Sequence, residues 1–203
     1  MFRVKQSLFS LLLSLMLLSL LLAGCAVTPK ARLSTVALSE HASYQLTAAP
    51  ASLVGQGFLT LVKGRHGDND YEFIVQVELN KNSIVMVGTT ANGVSLFELV
   101  WYQDKPFELN QSILAKGIEV EYMLADFQLV HWPMAVINQQ LRGATINGYD
   151  SHRVVSVSGG DNLSHGENGK KIIDIDYQPS VTSFAHHLRD YQLSITTLEK
   201  WSL

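Results

Sequence analysis

The side chains that could catalyse a reaction in this chain are scattered serines and histidines. Ser156, Ser158 and Ser164 lie near His152 and His165 in the sequence, and a hydrolase needs a nucleophile beside such a base. However, the chain contains no Gly-x-Ser-x-Gly motif to present a nucleophilic serine. It also lacks a glycine-rich phosphate-binding loop. These observations favour a protein without an active site, and a hydrolase or acyl-transfer enzyme is the weaker alternative.

The histidines do not have the arrangement of a metal site. His186 and His187 are neighbours on a predicted strand, so their side chains should point to opposite faces. The other groups of histidine and acidic residues, around His66 and His165, lie in predicted loops without zinc-ligand spacing. The sequence therefore predicts neither a metal site nor a cofactor.

The only cysteine lies where a definite modification chemistry is expected. A basic head with Arg3 and Lys5 precedes an apolar run over residues 8–22, and Leu22-Ala23-Gly24-Cys25 follows at once. This order is typical of a cleavable secretory signal over residues 1–24. The small residues and the thiol are similar to the bacterial lipobox, which implies that Cys25 carries a diacylglyceryl thioether and palmitate-like acyl chains. The alternative is an uncleaved anchor helix, but an apolar run of about 15 residues is short for a span of about 20.

Residues around the cleavage site also predict a location. Some lipoproteins are retained in the inner membrane by an Asp directly after the lipidated cysteine. This chain has Ala26 at that position, so we expect anchoring at the periplasmic face of the outer membrane. The expected partners are the lipid anchor and the machinery that processes and sorts lipoproteins. Removal of residues 1–24 takes away two basic residues and no acid, which changes the net charge from −3 to −5. An acidic chain without a basic stripe is not expected to bind nucleic acid.

The rest of the chain divides into a predicted tether, residues 25–51, and a predicted single domain, residues 52–203. The domain starts and ends with segments of alternating apolar and polar residues, separated by turn formers that include a glycine-rich loop over 159–170. Asn92-Gly93 predicts a tight hairpin turn. Strands are predicted over residues 56–63, 71–79, 83–89, 94–102, 152–158, 171–178, 181–186 and 191–200.

The middle of the domain has helical periodicity. Apolar residues recur at intervals of three or four from Val120 to Leu141, and Pro133 interrupts the pattern next to Trp132. We therefore expect two short helical pieces, with Gly143 after the second. The predicted fold is mainly β with helices: a curved antiparallel sheet or incomplete barrel, whose apolar face the broken helix covers or plugs.

The apolar side of the broken helix is the candidate ligand site. If the helix lines a cavity, the side chains that contact an acyl chain are Phe127, Val130, Trp132, Met134 and Ile137. The alternative is that the same residues form a packed core, as apolar residues at helical spacing usually do. A break in a helix can leave a cleft, which favours the cavity.

Two resemblances suggest a setting for this chain. The order of lipobox, tether, strands, broken helix and strands resembles the outer-membrane lipoprotein receptor LolB over residues 53–201. Residues 124–133 are similar to the Asp-Leu-Gln-Leu-x-x-Trp-Pro signature of a family of small lipoproteins of unknown function, and residues 189–195 are similar to its last strand. Genes of that family often lie in clusters for aryl-polyene pigments.

These resemblances imply an open barrel plugged by helices and a function in lipid handling. The chain would bind or pass on an acyl chain or a lipid-linked product. The alternative is a non-enzymatic accessory subunit of an envelope transport or aryl-polyene synthesis complex. The hairpin at Thr90–Val94 lacks the large apolar tip residue of the receptor, so insertion of cargo into a membrane is not expected.

Overall fold

The structure is a computed structural model that describes residues 34–158 and 169–203. The predicted signal segment, Cys25, Ala26 and the first residues of the predicted tether lie outside these ranges, as does most of the predicted loop over 159–170. Within the described ranges, no helix is both long enough and apolar enough to cross a membrane.

Thirteen β-strands and two α-helices form the described part of the chain. The helices are α1 (Val120–His131) and α2 (Met134–Gln140), and a short 3-10 turn, Ile113–Ala115, precedes α1. The strands are β1 (Thr35–Ala37), β2 (Ser43–Gln45), β3 (Gln56–His66), β4 (Asn69–Leu79), β5 (Ser83–Thr89), β6 (Ser95–Tyr102), β7 (Glu108–Gln111), β8 (Leu141–Arg142), β9 (Ala144–Tyr149), β10 (His152–Val157), β11 (Lys171–Tyr177), β12 (Thr182–His186) and β13 (Tyr191–Ser202).

Ten of the strands form one antiparallel sheet in the order β7-β6-β5-β4-β3-β13-β12-β11-β10-β9. The longest pairing joins β3 to β13, the first and last strands of this sheet in the chain, so the two groups of strands meet in its middle. The edge strands β7 and β9 are not paired with each other, and the sheet is therefore open. This confirms the prediction of a mainly β fold with an antiparallel sheet and two helices.

The large sheet bends around α1. Ten strands spaced about 4.8 Å apart would make a flat sheet more than 40 Å wide, whereas a helix with its side chains is about 10 Å across. Yet α1 contacts strands that are far apart in the sheet: its last turn accepts hydrogen bonds from Arg153 of β10 and Tyr177 of β11, and Phe127 borders a cavity together with Met86 of β5. One helix can contact both β5 and β10 only if the sheet curls.

Alternation of apolar residues sets which face of each strand points inward. In β4, Phe73, Val75, Val77 and Leu79 are buried, and the residues between them are more exposed, as predicted. The predicted loop over 64–70 is shorter than expected, because β3 continues to His66 and β4 starts at Asn69. The predicted turn at Asn92-Gly93 does join two strands, but as part of a longer loop over 90–94 between β5 and β6. Gly93 has a positive φ of 83° and Asn92 does not, so the connection is not the two-residue turn expected.

The helical segment breaks where Pro133 was expected to break it. The α1 helix ends at His131, Trp132 takes an extended conformation, and α2 starts at Met134. Arg153 of β10 donates from Nη1 to the carbonyl oxygens of Leu129, Val130 and Trp132, at 3.2, 3.2 and 2.9 Å. A cation at a helix C-terminus pairs with carbonyl groups that have no partner within the helix, so Arg153 stabilises the end of α1.

The structure corrects the boundary of the predicted tether, because part of residues 25–51 belongs to the domain. Strands β1, β2 and β8 form a separate three-stranded sheet. Tyr44 in β2 is fully buried, and its hydroxyl donates to Gln128 Oε1 of α1 at 3.0 Å. Seven consecutive residues of α1, from Leu124 to Val130, are buried. Because α1 is buried on every side, a second layer must cover the side that faces away from the large sheet, and residues 35–49 provide it.

Candidate functional site

Four side chains of α1 point toward the large sheet: Met123, Asp126, Phe127 and Val130. Their spacing places them on one side of the helix. All four border a cavity that also contacts β3, β4, β5 and β13. Three of them are apolar and one is a carboxylic acid, which gives this side of α1 an unusual composition for a buried face.

Two adjoining cavities separate α1 from the large sheet, and we call them together the cleft. The apolar cavity has a volume of ≈ 60 Å³, and the mouth cavity, next to the start of α1, has a volume of ≈ 100 Å³. Both are bordered by Phe73, Met123, Asp126 and Leu193. The apolar cavity is also lined by Thr60, Val62, Val75, Met86, Phe127, Val130, His131 and Ile195.

Asp126 is the polar group at the junction of the two cavities. Its side chain is buried, and Oδ2 accepts a hydrogen bond of 2.7 Å from the hydroxyl of Tyr191. The second oxygen, Oδ1, is buried without a hydrogen-bond partner in the structure. Burial raises the pKa of Asp126 to about 8, although the Tyr191 hydrogen bond acts to lower it. At neutral pH the group is therefore mainly a neutral carboxylic acid.

A histidine at the other end of the apolar cavity is also neutral. The ring of His131 lies between those of Phe58 and Phe127, with centroid distances of 5.0 and 4.4 Å. Burial, together with the charges of Lys200 and Arg153, lowers the pKa of His131 to about 4. The apolar cavity therefore contains no group that is predominantly charged at neutral pH.

The mouth cavity ends at an ion pair. Arg189, in the turn between β12 and β13, hydrogen-bonds to Glu119, the residue before α1. The guanidinium group also lies over the ring of Tyr122, 3.5 Å from its centroid. Both partners of Arg189 belong to the start of α1, so this contact joins the helix to the sheet at the entrance of the cleft.

Polar contacts on the other side of α1 hold the helix in place. Gln128 is fully buried: its Oε1 accepts from Tyr44 and from the backbone N–H of Thr47, and its Nε2 donates to the Thr47 carbonyl. Both the oxygen and the nitrogen of its amide are therefore hydrogen-bonded to the N-terminal segment. Gln128 and Asp126 are two positions apart and face opposite layers.

The structure distributes the five predicted cavity residues over different environments. Phe127 and Val130 border the apolar cavity. Trp132 and Ile137 are fully buried, Met134 packs against the core, and none of the three borders the cleft. Trp132 lies in the break between α1 and α2, and Met134 and Ile137 lie beyond it on α2.

Sequence reasoning missed Asp126 and Tyr191 as site residues. A signal existed, because Asp126 interrupts the apolar series of Met123, Phe127 and Val130 at a position that should face the core. An acid at such a position is normally rare.

The two neighbouring histidines point to opposite faces, as expected for a strand end. His186 is buried beside Tyr191, and burial lowers its pKa to about 4. His187 lies outside, and its Nε2 is 2.6 Å from Asp174 Oδ2. Burial alone would raise the pKa of Asp174, but hydrogen bonds from His187 and Lys171 outweigh it and lower that pKa.

A larger depression, ≈ 550 Å³, lies on the outer face of the sheet and is open to solvent. It is bordered by paired charges such as Lys63 and Glu72, which are 3.0 Å apart. Within residues 34–158 and 169–203, no three His, Cys, Asp or Glu side chains are arranged to hold a metal ion. The cleft is therefore the better candidate for a ligand site. Ser164 and His165, considered above as catalytic groups, lie outside the described residues.

Comparison with known proteins places the cleft within a family match. A family model described as "Protein of unknown function (DUF3261)" matches residues 59–199, which include both helices and most of the large sheet. No curated protein matches the sequence.

Proposed function

The chain belongs to the DUF3261 family of proteins of unknown function, and we propose that it binds an apolar chain, such as an acyl or polyene tail, in the cleft. The observation that carries this proposal is the pair of adjoining cavities between α1 and the curled sheet. Their shared walls are mostly apolar, and each methylene group buried there would contribute about 0.8 kcal/mol. Binding would therefore depend on the shape of the cleft and on burial of apolar surface, and would involve no chemical reaction.

The fold supports the proposal. An open antiparallel sheet that bends around a helix can hold one apolar ligand on its inner face. The same arrangement is what the resemblance to LolA and LolB implies, and we propose that the chain shares that architecture. The ligand would be an acyl chain or a lipid-linked product such as an aryl polyene.

Binding requires the cleft to widen. Its two cavities are smaller than typical ligand pockets, which have volumes of roughly 300–1,000 Å³. The first turn of α1 is the part that would move, because Arg189 holds it at the mouth by pairing with Glu119 and stacking on Tyr122. Ion pairs near the surface usually contribute less than about 1 kcal/mol, so the pairing of Arg189 with Glu119 can open at low cost.

The experiment measures binding of the uncharged fluorophore phenylnaphthylamine to the full-length chain. Met123→Trp places a larger side chain where Met123 borders both cavities. We expect this variant to lose at least about tenfold in affinity, with a melting temperature near that of wild type, because the added volume enters empty space. Met134→Trp is the matched control, since Met134 lies on α2 and borders neither cavity. It should bind the probe as wild type does.

A wild type that shows no saturable binding would overturn the proposal. Equal binding by wild type and Met123→Trp would also overturn it, since the probe would then lie elsewhere. Native mass spectrometry of the chain purified from cells provides a second measurement, in which a copurified lipid should be present in wild type and depleted in Met123→Trp.

We also propose that the chain is a lipoprotein with its lipid anchor on Cys25. The support is the order of basic head, apolar run and Leu22-Ala23-Gly24-Cys25. Cys25→Ser should remove labelling by an alkyne analogue of palmitate, because serine cannot form the thioether. Labelling of the variant to the level of wild type would contradict this.

The proposed location is the periplasmic face of the outer membrane, and it rests on Ala26. In a host that sorts lipoproteins by the residue after the cysteine, Ala26→Asp should shift the protein to the inner-membrane fraction of a density gradient. Ala26→Ser provides a control that keeps a small, uncharged residue. If the Asp variant stays with the Ser variant, the location is wrong.

A second candidate function is that of an accessory subunit that holds no ligand. The observation in its favour is the small volume of both cavities. It predicts no probe binding and a large melting loss for Met123→Trp, because a filled core does not accept extra volume.

A further inference from the structure

One buried carboxyl oxygen in the cleft, Oδ1 of Asp126, has no hydrogen-bond partner in the structure. Asp126 Oδ1 is buried and unpaired, although a buried polar atom without a hydrogen bond is costly. The Asp126 side chain borders both cavities, so it faces the space that a ligand would fill. A ligand atom that pairs with Oδ1 would remove that cost.

The chemistry of the ligand atom follows from the state of the carboxyl group. Tyr191 donates to Oδ2, and the raised pKa keeps a proton on the group at neutral pH. With Oδ2 in use as an acceptor, the proton belongs on Oδ1, which then donates into the cleft. Its partner must therefore be an acceptor.

The partner should also be uncharged. A cation would require an ionised Asp126, which burial opposes. An anion would need a free positive charge, but Arg189 at the mouth is already paired with Glu119 and stacked on Tyr122. A neutral oxygen acceptor needs neither.

We propose that Asp126 is a ligand-binding residue whose carboxyl group donates a hydrogen bond to an uncharged carbonyl oxygen, as in the ester of a long-chain acid. This rests on the proposed function, since it specifies which chain the cleft holds. The alkyl part lies in the apolar cavity against Val62, Val75 and Ile195, and the carbonyl group lies at Asp126, between the two cavities. A pure hydrocarbon would leave Oδ1 unpaired.

The test measures how well three competitors of nearly equal apolar size displace phenylnaphthylamine that is bound to the full-length chain. Methyl decanoate has the carbonyl acceptor, dodecane has none, and decylamine carries a positive charge. We expect methyl decanoate to displace the probe at a concentration roughly two- to tenfold below that of dodecane, the range that one net hydrogen bond provides. Decylamine should compete more weakly than methyl decanoate.

Variants of Asp126 separate the hydrogen bond from packing. Asp126→Leu should remove the preference for the ester and leave dodecane affinity unchanged. Asp126→Asn keeps a neutral N–H donor and an acceptor for Tyr191, so the preference should remain. Glu121→Leu is the control: it replaces an acid of the same helix that borders a separate surface depression.

The outcomes distinguish this proposal from the broader one. If wild type does not bind the probe, the proposed function itself fails. If wild type binds the probe but shows no preference for the ester, or if Asp126→Leu retains that preference, the cleft binds apolar chains without help from Asp126. Tighter competition by decylamine than by methyl decanoate would mean that Asp126 acts as an anion, which would overturn the proposal.

Discussion

Replacing Asp126 by Asn should make the protein more stable at neutral and alkaline pH and leave its stability at acid pH nearly unchanged. The cause is the raised pKa of the buried carboxyl group, about 8 in the folded chain, against about 3.9 in an unfolded chain. Between these two values the folded state keeps a proton that the unfolded state has released. The free energy of unfolding must therefore fall as the pH rises through this window.

The size of the effect follows from the width of the window. Each pH unit between the two pKa values costs about 1.4 kcal/mol. Wild type should lose roughly 3 kcal/mol between pH 5 and pH 7 relative to Asp126→Asn, and the difference should level off above about pH 8. Asn makes the comparison clean, because its amide keeps an acceptor for the Tyr191 hydroxyl and carries no titrating proton.

Urea unfolding at a series of pH values measures this difference directly. The plotted quantity is the free energy of unfolding of Asp126→Asn minus that of wild type, in which groups common to both proteins cancel. Glu121→Gln removes a carboxyl group of α1 that lies outside the cleft and controls for the change in net charge. A difference that stays flat from pH 5 to pH 8, or that has the opposite slope, would show that Asp126 is ionised in the folded chain and would refute the reasoning.

Three further substitutions test the contacts that hold α1 and the N-terminal layer that covers it, each by urea unfolding. Gln128→Leu should cost about 2–4 kcal/mol, because Tyr44 and the adjacent backbone would keep buried groups without partners; a loss below 1 kcal/mol, approximately, would contradict this. Arg153→Met should cost about 2 kcal/mol through loss of the bonds that end α1, whereas Arg153→Lys, which keeps the charge, should cost less. Gly143→Ala should destabilise by more than about 1 kcal/mol, because φ is +69° and a Cβ would lie 1.9 Å from the His41 carbonyl oxygen; a stability equal to wild type would show that this contact relaxes.

The sequence alone determined the elements whose patterns are local. Tyr71 to Leu79 alternates except at Ile74, so its strand and inward face could be predicted. Pro133 predicts a break in the helical segment, because it lacks a backbone N–H. Short strands gave no such signal. All four residues of β7, Glu108–Gln111, are exposed, and β8 has only two residues. Their strand conformation comes from pairing. The partner of β8 is β2, which is distant in the sequence, and the partner of β7 is β6, from which a turn separates it.

Only the tertiary structure decided what covers α1 and what lies in the cleft. Residues 35–49 look like a linker because Val36, Leu38 and Tyr44 are spread too irregularly to show a period, yet all three are buried. Tyr44 also donates a hydrogen bond to Gln128 on the far side of the helix. Asp126 belongs to a helix in any account of the sequence, but its burial depends on the pairing of β3 with β13, which brings Tyr191 beneath it. Local propensity acts over a few residues, whereas the desolvation of a carboxyl group depends on every element packed around it. For that reason the helix could be predicted from the sequence, and the neutral acid at the centre of the candidate site could not.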